Sequence, residues 1–447
     1  MANLLWGNVY YKDRFAGVVR QEPGERVSFT YDESYLASGQ PAIAHTLPLR
    51  TGPYISQSGL PPFFDNLVAE GWMEDAQTRL LGKRRASRFE LLLAFGQDCA
   101  GAVSIIDPDP QDRGSIKPDD PMEIAVMAGR ASLSGIQPKL ALIERDGQLR
   151  PARTDELSTH IGKFASPRHD DLPANEYLTT KALKALLPDD DIVDLRIGRI
   201  AGFKDPALII KRFDRNLEHL EENFRGGSGS GAGFGDGSGY GGGSAPGFGW
   251  PDGSGDSYRS SPFEVQRIHF EEFNQLLGYP SDAKYDGSHK SMADFIRQTP
   301  GCLPAEIYRL YLRILAGLLL GNTDMHLKNF AMFHTEAGLR LTPAYDAVAA
   351  ALYGYNTIAL SISGNANIPL GDLKARALIS LGEEFGLPAP AIAMAAGQLE
   401  KRKETAQDAI AESKTGAAEL RDAIISLMEK RWNGTFALIG KALSKKP

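Results

Sequence analysis

Gly321-Asn322-Thr323-Asp324-Met325-His326-Leu327-Lys328-Asn329-Phe330 is the stretch on which the reading of this chain turns. It follows the apolar run 314–320, which is too short for a membrane span of about 20 residues and reads as a buried helix. An Asp is followed five positions later by an Asn. One short loop can then present a carboxylate and an amide oxygen on either side of a reacting centre. The Asp324 carboxylate suits a base that takes the proton of an acceptor hydroxyl. The Asn329 side chain suits a ligand of a hard divalent cation. Lys328 is placed to neutralise charge on a transferring group. Read alone, the stretch more often marks a polar loop in which Asp324 caps a helix, since an Asp five positions before an Asn is common by chance.

The same Asp-to-Asn spacing marks the catalytic loop of protein kinases. Three further stretches extend that reading. Leu341-Thr342-Pro343-Ala344-Tyr345-Asp346 is an expected strand ending in Asp, where kinases place their second Mg²⁺ ligand. Ala347-Val348 stand where Phe-Gly is usual. Asn329 and Asp346 are thus the expected metal ligands, enough for an ion that also bridges phosphates. Lys163 lies in an expected strand Thr159–Phe164, and Glu176 opens the next helix. A strand Lys held by a helix Glu positions α- and β-phosphates. Finally, Ser132-Leu133-Ser134-Gly135-Ile136-Gln137-Pro138-Lys139 precedes a strand and offers backbone N–H groups to phosphate oxygens. It is neither a G-x-G-x-x-G nor a Walker A sequence.

Composition sets the frame. The chain of 447 residues is 42% hydrophobic, which is ample for real cores. A net charge of −7 argues against carrying duplex DNA alone, because phosphate neutralisation dominates such affinity. Cys99 and Cys302 make no disulfide framework and fit a reducing cytoplasm. The start lacks a basic region followed by an apolar stretch, so no signal peptide is expected, nor a membrane partner.

Expected strands at Leu4–Tyr11, Gly17–Arg20 and Val27–Tyr31 open the chain. A helix over Phe63–Leu81 and another over Arg88–Phe95 follow, then a strand through Gly101–Ile106. The Pro-rich stretch Asp107–Pro121 marks a boundary. Strands with one crossing helix, Asn175–Leu187, suit a kinase small lobe over 122–215. Residues 226–255 are half Gly, so 216–262 is expected to be a flexible insert. From Phe263 onward the periodicity is almost wholly helical. The expected fold is α+β: a bilobal protein-kinase-like fold with a β-rich N-terminal subdomain (1–121), a mixed small lobe and an all-helical large lobe (263–447).

Taken in order, these stretches resemble the HipA family of serine/threonine kinases. The matching sequences are S-L-S-G-I-Q-P-K at 132–139, S-T-H-I-G-K at 158–163, N-E-Y at 175–177, K-R-F-D-R at 211–215, N-T-D-M-H-L-K-N at 322–329 and T-P-A-Y-D at 342–346. Leu47-Pro48-Leu49, Phe63-Phe64-Asp65-Asn66-Leu67 and the run 96–103 match the N-terminal part. The resemblance implies that the loop Ser134, Gly135, Ile136, Gln137, Pro138 and Lys139 covers the phosphates of ATP and that Lys163 binds them. It implies a hinge at Lys211, Arg212 and Phe213 whose backbone meets adenine. It places His326, Leu327, Lys328, Asn329, Tyr345 and Asp346 around the nucleotide and Mg²⁺. It makes Ser132 an autophosphorylation site, with Ser134 a second candidate. It implies a small helix-turn-helix antitoxin of the HipB type that carries operator DNA. It implies an aminoacyl-tRNA synthetase as substrate, glutamyl-tRNA synthetase being the usual family example, with translation inhibited. The insert departs from the family, where that connection is short.

Two other readings stand beside this one. Lipid or small-molecule kinases share a D-x-H-x-x-N loop, but the N-terminal match argues against them. A co-repressor with weak or lost phosphotransfer is opposed by the intact Lys163, Asp324, Asn329 and Asp346.

Overall fold

The computed structural model describes residues 4–110, 120–129, 131–133, 137–145, 147–154, 156–166, 168–216 and 265–444. The Pro-rich stretch 111–119, loop residues Ser134, Gly135 and Ile136, and the insert 217–264 lie outside them.

Alternating burial along Trp6–Tyr11 and its neighbours builds an antiparallel sheet with one face on a core. Its order is Tyr54–Ser56, Val27–Tyr31, Arg14–Gln21, Trp6–Tyr11, Val103–Ile106. The helix expected over Phe63–Leu81 is in fact two, Pro62–Asp65 and Trp72–Leu80. The break comes at Gly71, whose φ of 58° puts it outside the right-handed helical region. Arg88–Phe95 follows, closed at its start by a capping box between Ser87 and Glu90.

The small lobe is a second antiparallel sheet. Its order is Gln148–Pro151, Lys139–Arg145, His160–Lys163, Ala207–Lys211, Leu195–Gly198. Helix Leu172–Leu186 packs beside it. One apolar cluster unites the N-terminal sheet with Leu140, Leu142, Ala207 and Ile209 of this second sheet. Leu208 and Ile210 point to the other face, beside Phe213 and Tyr345.

Helices dominate the rest, among them His289–Gln298, Ala305–Leu319, Ala375–Glu384, Ala389–Ala411 and Ala418–Gly434. They share a core with Leu178, Leu183 and Leu186 of the small-lobe helix. The lobe is not all helix, however. Phe270–Glu272, Ala331–Thr335 and Gly338–Leu341 form a three-stranded antiparallel sheet. Its strands are short and mixed in polarity, so their period of two is lost among flanking helical patterns. This sheet clamps the loop 321–330 from behind. Among the described residues no helix is long and apolar enough to cross a membrane.

Candidate active site

Helix Ala305–Leu319 ends and the chain turns at Gly321, with φ 78°. A Cβ there would collide with the Leu427 side chain, so the close approach requires glycine. The chain then passes through Asp324 to a single 3-10 turn, Leu327–Asn329, and enters strand Ala331–Thr335. Asn329 Nδ2 donates to the Asp324 carbonyl at 2.7 Å, which fixes the loop's curvature. Its amide oxygen is thereby directed away from Asp324. Tyr345 donates its hydroxyl to the Lys328 carbonyl at 2.8 Å, tying the loop to the segment that carries Asp346.

Lys163 is the centre of charge. Its Nζ donates to Glu176 Oε1 at 2.7 Å and Oε2 at 2.9 Å, and also to Asp346 Oδ1. Lys163 and Glu176 are buried, while the Asp346 side chain keeps 39% of its exposure. Burial disfavours the Lys163 charge, but Asp346 and Glu176 outweigh it and raise its pKa. Burial alone would raise the Asp346 carboxyl; Lys163, with Lys139 and His326, brings it down to about 2. Asp346 also has φ 57°, left-handed for a residue with a Cβ. Such a conformation costs about 1–3 kcal/mol and persists where the surroundings enforce it, commonly at functional sites. Burial and the Lys163 ammonium push Lys139 down to about 8.

Asp324 is exposed as a residue, and its carboxyl accepts from the Tyr285 hydroxyl. Withdrawal from bulk water, opposed by a 3.0 Å hydrogen bond from the Tyr285 hydroxyl, pushes it up to about 6. His326 packs edge-on against Tyr285, with ring centroids 5.1 Å apart, and burial pushes it down to about 4. It is neutral, and its buried Nδ1 has no hydrogen-bond partner.

The oxygen donors Asp346 and Asn329 suit a hard cation that keeps phosphate and water in its shell. A second group of donors, His269, Glu271 and His334, lies within 4.8 Å at the small sheet. There the Ala102 N–H reaches His269 Nδ1 at 3.4 Å, and His334 Nε2 is 2.7 Å from Glu271 Oε1. These residues already bond to one another and to the N-terminal subdomain.

The sequence pattern of the HipA-like C-terminal domain matches residues 131–419, and that of the HipA N-terminal domain matches 7–106. The chain belongs to the HipA family. A putative kinase of Sinorhizobium fredii, Y4mE, is 24% identical over 413 residues, spanning 86% of this chain and 87% of that protein. The serine/threonine-protein kinase toxin HipA of Shewanella oneidensis is 26% identical over 391 residues, 80% of this chain and 78% of its own length. A solved complex of HipA, HipB and operator DNA from Shewanella oneidensis aligns over 99% of this chain and 100% of that one. Its TM-score is 0.70 at 20% identity, a likeness of fold. The relatives support a kinase at the level of the family.

Several residues expected around the nucleotide stand elsewhere in this HipA-family fold. Lys328 is 3% exposed in its side chain and pairs with Glu70 at 2.6 Å, with Glu272 at 3.6 Å. Its ammonium is committed to buried carboxylates, which corrects the role of neutralising a transferring group. Leu327 is fully buried in the large-lobe core, where it packs rather than lines the cleft. Arg212 is buried: Nε donates to Asp214 Oδ1 at 2.9 Å, and Nη1 to Ser158 Oγ at 2.7 Å. Its side chain joins lobes, and its N–H already donates to the Thr159 carbonyl at 2.9 Å. The Lys211 N–H likewise donates to the Asp194 carbonyl at 2.9 Å. Of the expected hinge, Phe213 faces the cleft side, its ring 5.6 Å from Tyr345. Gln137 Nε2 donates to the Phe164 carbonyl at 2.7 Å, and the Pro138 carbonyl accepts from the Phe164 N–H at 2.9 Å. The end of the loop expected to cover the phosphates is thus pinned to the strand of Lys163. Ser132 is buried, and its N–H donates to the Asp98 carbonyl at 3.3 Å.

Sequence reasoning missed Tyr285, Lys284 and Glu70. Lys284 donates to Glu70 Oε2 at 2.7 Å. Both also line a groove of about 890 Å³ between the N-terminal subdomain and the large lobe. No local pattern flags them, because Glu70 meets its partners across more than 200 residues of chain.

Proposed function

We propose that this chain is an ATP- and Mg²⁺-dependent protein kinase that phosphorylates serine or threonine hydroxyls, acting as the toxin of a toxin–antitoxin pair. The observation that carries the reading is the Lys163 ammonium bridging Glu176 and Asp346, with the Asp324 carboxyl poised in the same cleft. When bound, ATP with Mg²⁺ supplies the γ-phosphoryl group. Lys163 would orient the phosphates, and Asp346 and Asn329 would hold the cation. Asp324 takes the proton of the acceptor hydroxyl as the new O–P bond forms and the bond to ADP breaks. A carboxyl at about 6 is ionised at neutral pH and basic enough to accept that proton.

The partner is a HipB-like helix-turn-helix protein that carries operator DNA, as in the Shewanella oneidensis complex whose fold this chain shares. The substrate is an aminoacyl-tRNA synthetase in the cytoplasm. Autophosphorylation on Ser132 or Ser134 switches the kinase off. The Ser132 side chain is buried, so its modification requires the loop to leave its present position.

The test is incubation with radiolabelled ATP, alone and in cell extract. Label on serine or threonine of a protein of synthetase size supports the reading. Label only in lipid, or none, rules it out.

A further inference from the structure

The break between helices Pro62–Asp65 and Trp72–Leu80 sets Glu70 just before the left-handed Gly71. There the Glu70 carboxylate leaves its own subdomain and enters the large lobe. Its Oε1 accepts from Lys328 Nζ at 2.6 Å, and Oε2 from Lys284 Nζ at 2.7 Å. It also accepts from the Ser281 hydroxyl at 2.5 Å. All three charged side chains are 14% exposed or less.

Both lysines neighbour catalytic-loop machinery. Lys328 directly precedes Asn329 in the loop. Lys284 directly precedes Tyr285, whose hydroxyl donates to Asp324 Oδ1 at 3.0 Å. The Leu327 N–H donates to the Lys284 carbonyl at 3.2 Å, so the two lysine segments are also tied through backbone. One carboxylate therefore anchors both ends of the constellation from a different subdomain.

We propose that Glu70 is a positioning residue for the catalytic loop, holding Lys284 and Lys328 so that Tyr285 orients Asp324 and Asn329 faces the cleft. The inference rests on the kinase reading of that cleft. Glu70 touches neither substrate nor nucleotide; it acts through the lysines. A misplacement of about 1 Å at a reacting group costs on the order of 100-fold, so such an anchor is worth a large factor in rate.

The experiment compares wild type, Glu70→Gln, Glu70→Asp, Lys284→Met and the double variant Glu70→Gln/Lys284→Met. It measures kcat, ATP KM and amide hydrogen exchange of the loop 321–330. Expected for Glu70→Gln is a fall in kcat of about 10- to 100-fold with ATP KM nearly unchanged and faster exchange in the loop, partly restored in Glu70→Asp. The losses in the double variant are less than additive, as for a coupled pair. Folded Glu70 variants with wild-type kcat, or kcat and KM that worsen together with unchanged loop exchange, overturn the proposal. If Glu70→Gln does not fold, Glu70→Asp and Lys284→Met test the same kcat-against-KM split. A wild type without phosphotransfer sinks the kinase reading, and loop exchange in the Glu70 variants then still decides the positioning role.

Discussion

Two clusters of buried charge lie at opposite ends of the strand pair His160–Lys163 and Ala207–Lys211, and they are built differently. At one, Asp98 and Asp214 meet Arg212 and Arg215, every side chain 5% exposed or less. Asp98 also accepts from the Ser158 N–H and hydroxyl, and Asp214 from the Gly101 N–H at 2.8 Å. Its carboxylates are saturated by partners from the N-terminal subdomain, the small lobe and the chain beyond the hinge. At the other, Lys163 and Glu176 are equally buried, but Asp346 is partly open and its backbone is left-handed. A sealed and saturated cluster holds domains together. The second cluster leaves one carboxylate partly open. Burial of charge alone therefore does not mark a site; incomplete closure does.

The largest expected effect is at the open cluster's neighbour. Asp324→Asn should lower phosphotransfer by about 10²- to 10⁴-fold while ATP binding survives, read by a radiolabel assay beside nucleotide titration. Its stability carries a sign as well. The folded state holds the Asp324 proton more tightly than the unfolded chain does, since burial raises the carboxyl to about 6. That contribution is complete below about pH 4 and lost as pH rises through about 6. Asp324→Asn should thus be no less stable than wild type at pH 8, measured by thermal unfolding.

Next in size is the sealed cluster. Arg212→Met removes one of the two guanidiniums that pair with buried Asp98 and Asp214, leaves Arg215 alone to hold both, and should cost up to about 3–5 kcal/mol of stability, measured by denaturant unfolding. Its catalytic constants in the protein that remains folded should change far less. Equal losses of kcat and stability in both mutants would erase the distinction between the two clusters.

A smaller effect is expected from pH. Phosphotransfer should rise about tenfold from pH 5 to pH 7 as Asp324 ionises, then level off. A rate flat across that range would remove Asp324 as the base. The smallest change should follow shortening of residues 226–255, which lie between the sealed cluster's exit at Asn216 and the return at 265. Loop closure varies by about 0.6 kcal/mol per doubling of length. ATP affinity should stay nearly constant by calorimetry.

The sequence by itself determined the α+β class, the helical bulk of the large lobe and the pairing of Lys163 with Glu176. Periodicity and short-range spacing carry that information, because Asp324 and Asn329 share one loop and Lys163 and Glu176 lie on adjacent elements. It could not show that Lys328 faces Glu70, that Leu327 is core, or that Arg212 serves a domain junction. A charged side chain in a polar motif reads the same whether it points to the cleft or away from it. Nor could spacing reveal the small sheet behind the loop, since three strands of five residues or fewer stand among long helices. The two charged placements depend on partners more than 100 residues away, Asp98 for Arg212 and Glu70 for Lys328. Only the tertiary structure decides which buried charge finds a partner, because desolvation forces each one to pair with whatever the fold brings within reach.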